Sequence, residues 1–217
     1  PLPGGGSPSL DLALFSARIA WRALGWKLVS AYFGALLPLG AAWAFIANNE
    51  LAPKHVILGS LLGGGCAVVL LFAQLGEALA AFRPAWPWSR SLPWSATGRV
   101  IADGAFLALH ALPLLILAVL LHPMALVLFG LAPFLALRAA GAMRRAPERR
   151  TGASGEILLE GLPAVAATAL LPWVVLPLLA MTPLAVRWAA ERERRQKVSR
   201  WLELHHLAVG DSQSWSA

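Results

Sequence analysis

The chain alternates long apolar stretches with short polar segments that carry arginines, and that alternation restricts it to a bundle of membrane-crossing helices. The clearest stretch is 55–82, in which the only acidic or basic side chains are His55 and Glu77. A helix needs about 20 apolar residues to cross the hydrocarbon core. Its backbone groups must be satisfied within the segment, because no water reaches them there. Charged residues make up 13% of the chain and hydrophobic ones 58%, whereas a soluble domain is about a quarter charged. With 217 residues there is room for several spans and none for a separate soluble catalytic domain. The expected fold class is therefore an all-α integral membrane protein.

In chain order, residues 1–8 read as a flexible leader, and 9–25 as an amphipathic interfacial helix with Arg18 and Arg22 one turn apart. Spans are expected at about 26–47, 55–82, 100–121, 124–142, 157–171 and 173–187, within a single transmembrane domain over 26–190. A charged tail follows at 191–217. The last apolar region is ambiguous because Pro163, Pro172, Pro177 and Pro183 interrupt it. It reads either as two short spans turning near Pro172-Trp173 or as a re-entrant pair. Gly59 and Gly63, four apart, form a small-residue face for close helix packing, and the single Cys66 rules out an intrachain disulfide.

Charge decides between the counts. Of the 18 Lys and Arg residues, only Lys54 falls in a loop on the far side under this topology. The positive-inside rule then places both termini and the 83–99 loop in the cytoplasm of a plasma (inner) membrane. Such placement requires an even number of crossings, and six is the preferred number. The net charge of +7 is explained the same way and does not point to nucleic acid.

Catalytic patterns are weak. None of Lys27, Lys54 and Lys197 follows a glycine, so the sequence contains no P-loop. Gly152-Ala153-Ser154-Gly155 is similar to the GxSG of rhomboid proteases, but no histidine follows within the last apolar region, and a serine without a base is a poor nucleophile. His205-His206 lacks the companions of a metal site. Neither a catalytic residue, a metal ligand nor a cofactor site on this chain is expected. The Trp residues flanking the spans, Trp26, Trp86, Trp88, Trp94, Trp173 and Trp188, read as interfacial anchors. Ionisable residues at the spans carry more weight: Glu77, Asp103, His110, Glu156 and Glu160. For Glu77, Asp103 and Glu156 the plain expectation is pairing with Arg83, Arg99 or Arg138. His110, the deepest, reads as a packing histidine or as part of a substrate path.

This organisation resembles the permease subunit of ABC-2-type ATP-binding-cassette transporters. The resemblance rests on the topology and on Glu77, Leu92-Pro93-Trp94-Ser95, Arg99 and Asp103, which look like the family's coupling segment between spans two and three. Leu79-Ala80-Ala81-Phe82 stands where the family commonly has Gly-Thr. The resemblance implies that a separate ATPase, which would hold ATP and Mg, docks on Glu77, Arg83, Arg90, Leu92, Pro93, Ser95, Arg99 and Asp103. It also implies a second permease chain, as a homodimer or heterodimer, and a substrate path between the two. A different class of function is an accessory subunit that scaffolds a larger membrane complex without transporting anything.

Overall fold

The computed structural model describes residues 17, 18, 21, 22, 24–49, 52–81, 95–144 and 152–195. Among them there are helices and turns but no strand. Helix α1 is Trp26–Ala47, α2 Pro53–Ala81 and α3 Ala96–Leu121. A 3-10 turn, Pro123–Leu126, leads into α4, Val127–Ala142, and α5 is Ala153–Leu170. A second 3-10 turn, Pro172–Val174, leads into α6, Val175–Ala180, and then α7, Thr182–Arg195. Five of these units are long and apolar enough to cross a membrane singly: α1, α2, α3, Pro123–Ala142 and α5. The sixth candidate is the pair formed by Pro172–Ala180 and α7, bent by 50°.

Local chemistry explains the helix ends. Ser95 caps α3 by accepting from the Gly98 N–H at 3.0 Å, as short hydroxylated residues do. At the opposite end His122 Nδ1 accepts from the Met124 N–H at 3.1 Å, and Pro123 supplies a first position that needs no donor. The α6–α7 bend follows from Pro183, which has no N–H to offer the Leu179 carbonyl and whose ring crowds it. The Thr182 hydroxyl donates to that carbonyl instead, at 2.8 Å. Gly25, with φ 46°, sits just before α1 in a backbone conformation that favours glycine. Trp21 and Arg22, just before it, are helical and exposed. Most of the expected interfacial helix lies outside the described residues.

Helix α2 is the axis of the bundle. It is 61% buried over its apolar window, against 17% for α1, and it touches α1, α3, α4 and α5. Successive residues on a helix point about 100° apart, so Gly63, Gly64 and Gly65 face three directions. A methyl at Gly63 would meet Ala42 of α1, one at Gly64 would lie 2.6 Å from Ala118 of α3, and one at Gly65 would meet Val165 of α5. Gly161 on α5 returns the fit, since a Cβ there would lie 2.8 Å from Val69 of α2. Gly59 lies on the same side as Gly63, against Ile46 of α1. The Gly59/Gly63 face is thus filled by the chain's own first helix.

Candidate functional site

At one end of the bundle α2 and α4 finish and α3 and α5 begin; α7 also finishes there. This end holds an interhelical ion network. Arg144, just past α4, is 1% exposed and lies between two carboxylates: Asp103 Oδ2 at 2.7 Å and Glu193 Oε2 at 2.9 Å. Its remaining nitrogen donates to the Ala140 carbonyl. Glu193 accepts from Arg99 through its other oxygen, Nε lying at 2.8 Å and Nη2 at 2.5 Å. The start of α3 and the ends of α4 and α7 are thereby fastened together.

A second chain of contacts runs beside it. Arg138 on α4 holds Glu160 on α5 with two parallel bonds of 2.7 and 2.6 Å, and Arg192 on α7 donates to Glu156 on α5 at 2.8 Å. Both guanidiniums rest on the ring of Trp188, 4.1 and 3.9 Å from its centroid, which is cation–π geometry. Trp188 fits there because position 141 has no side chain; a Cβ on Gly141 would lie 3.1 Å from the indole.

Four guanidiniums, of Arg99, Arg138, Arg144 and Arg192, meet four carboxylates, of Asp103, Glu156, Glu160 and Glu193. The network therefore has no formal net charge. That balance is what permits ions inside a span, because an unmatched buried charge is far costlier than a matched pair. Glu77, on α2, is neutralised differently. Its Oε2 accepts from the Ser154 N–H at 3.0 Å, so it caps α5 from a neighbouring helix and meets the positive end of that helix dipole. Gly152 leaves room for it, since a Cβ there would lie 2.7 Å from the carboxylate.

The structure adds partners that the sequence did not suggest. Asp103 pairs with Arg144 and Glu156 with Arg192, because the bundle brings α4 and α7 beside them. Arg138 goes to Glu160. Arg192 and Glu193, read from the sequence as part of the charged tail, belong to the network. Trp188 is a bridge between arginines, whereas Trp26 and Trp173 are 78% and 63% exposed, as anchors would be. Arg83, Arg90, Leu92 and Pro93, together with Trp86, Trp88, Trp94, His205 and His206, lie outside the described residues. Ser154 opens α5 and presents its backbone N–H to Glu77.

His110 is remote from the network. It is 6% exposed, its Nδ1 lies 2.8 Å from the Phe106 carbonyl, and its ring packs against Phe106 and Trp21 at 4.2 and 5.6 Å. Tyr32 of α1 donates to its carbonyl at 2.7 Å. These contacts pack His110 between α1 and α3, while its Nε2 is buried with no hydrogen-bond partner among the described residues. The sequence reading missed Arg144, Arg192 and Glu193. A usable signal was present in Trp188, Ala189, Ala190, Arg192 and Glu193, where small buried residues share a helix turn with the charges.

Among the described residues no group of three or more His, Cys, Asp or Glu could hold a metal ion. The arrangement has the means to hold helices in register and to carry force between them. Comparison of the chain with protein-family models, with characterised proteins and with solved structures gives no match.

Proposed function

We propose that the chain is the membrane-spanning permease subunit of an ATP-driven ABC-2-type transporter, coupled to a separate ATPase through the loop between α2 and α3. The observation that supports this reading is how the two ends of that loop are fastened. Before the loop, Glu77 is bonded to the start of α5. After it, Arg99 and Asp103 are bonded through Glu193 and Arg144 to the ends of α7 and α4. A push on the loop would therefore move α3, α4, α5 and α7 together rather than bend one helix. The partner's nucleotide states must contact the loop differently for anything to be transmitted. In this reading the basic end faces the cytoplasm of a plasma membrane, and a second permease chain docks on the exposed aromatic side of α1, where Phe33 and Trp43 are 68% and 61% exposed.

That same side of α1 favours a second reading, a non-catalytic scaffold in a larger membrane complex. Purification of the tagged chain in mild detergent separates the two. Recovery of a P-loop ATPase, lost on replacing Leu92 and Pro93 while the chain stays folded, is the expected result. Recovery of other membrane subunits alone would favour the scaffold. Labelling of a thiol placed at Ser91 from outside intact cells would overturn the coupling reading.

A further inference from the structure

A cleft of about 570 Å³ lies between α2, α4, α5 and the bent α6–α7 pair, apart from the loop discussed above. Phe72, Phe134, Leu178 and Leu184 make its walls, and Leu178 and Leu184 stand on the two sides of the 50° bend. Its polar lining includes the Arg138–Glu160 pair. Arg138 and Glu160 are 23% and 34% exposed in their side chains, so the pair is open to whatever fills the cleft. Glu160 occupies Nε and Nη2 of Arg138, leaving the two N–H groups of Nη1 without an acceptor among the described residues. In a bilayer such donors need a partner, because the hydrocarbon supplies none. Arg138 stands four residues from the end of α4, about 6 Å along the axis, so a lipid whose headgroup lies level with that helix end reaches it.

We propose that this cleft binds a membrane phospholipid with a phosphate and a primary ammonium, the phosphoethanolamine class, its acyl chain along the apolar walls. The pair is neutral but displays both signs. A headgroup with both signs satisfies each, whereas a purely anionic one gains at Arg138 and is repelled at Glu160. A primary ammonium donates a charge-assisted hydrogen bond to Glu160, which a trimethylammonium cannot. The indole face of Trp188, the strongest such partner for a quaternary ammonium, is already engaged by Arg138 and Arg192. The volume lies within the range of small-molecule sites and suits a headgroup with the upper part of one chain.

The test is native mass spectrometry of the full chain, delipidated in detergent and then offered equal amounts of phosphatidylethanolamine, phosphatidylcholine and phosphatidylglycerol. Phosphatidylethanolamine should be retained about tenfold over either, the factor carried by one good polar contact. Inorganic phosphate and glycerophosphoethanolamine, which lack chains, should not displace it. Ala164→Trp, which fills the cleft, should abolish retention, and the double variant R138Q/E160Q should keep a bound lipid but lose the preference, with helicity by circular dichroism unchanged in each. Equal retention of the three lipids, displacement by the chain-free headgroup, or a preference that survives R138Q/E160Q would overturn the proposal. None of these outcomes depends on an ATPase, so the coupling reading stands or falls separately.

Discussion

The two ends of the bundle are built on different principles. At the end where α2 and α4 finish and α3 and α5 begin, charged side chains from α3, α4, α5 and α7 are matched across helices. At the other end, chain reversal is managed locally: α3 passes into α4 through His122 and a 3-10 turn, and α5 passes into α6 through Pro172–Val174. One end is held by partners distant in sequence, the other by neighbours two to four residues away. The difference teaches where a perturbation spreads. Disturbing the charged end must affect several helices, while disturbing the tight turns affects one.

The comparison breaks most readily at Arg144. Arg144→Met should lower stability by about 3–5 kcal/mol, because it leaves the buried Glu193 and the half-buried Asp103 with one fewer cation. Thermal unfolding in detergent, followed by circular dichroism, measures this; a loss under about 1 kcal/mol would mean that the network is not what holds this end. Arg144→Lys should recover only part of the loss, since an ammonium lacks the fork that reaches two carboxylates at once. A control independent of charge is Gly65→Leu, which drives a side chain into Val165 and should cost about 1–3 kcal/mol by overpacking. If it costs nothing, α2 is not the packing axis.

Smaller effects sharpen the contrast. Glu77→Ala removes the cap that α2 supplies to α5 and should cost about 1 kcal/mol, within the usual range for caps. His122→Ala at the opposite end should cost about 0.5 kcal/mol, since one neutral hydrogen bond is lost at an exposed turn. Hydrogen exchange would separate them further. Glu77→Ala should raise exchange at the start of α5, whereas His122→Ala should raise it only around the turn. Equal spread from both sites would remove the distinction between the ends.

Much of the fold was legible in the sequence. The apolar runs from Trp26 and His55 correspond to α1 and α2 because hydropathy sums locally and needs no knowledge of neighbours. The His122-Pro123 turn was legible for the same reason: proline and its preceding residue constrain the backbone on the spot. The final region resisted reading because a proline can be tolerated or can break a helix, and its neighbours decide. Pro163 lies within α5, while at Pro183 the chain bends and Thr182 takes the freed carbonyl.

The ion partners were not legible. Glu156 bonds to Arg192, 36 residues further along the chain. Glu160, which had no assigned role, meets Arg138. The sequence by itself determined that this chain is a set of apolar helices with its cations gathered between them, because transfer into lipid is a property of each segment. Only the tertiary structure decided which cation meets which acid. That choice depends on the rotation and axial shift of each helix, and these are set where Gly63, Gly64, Gly65 and Gly161 let the backbones close together.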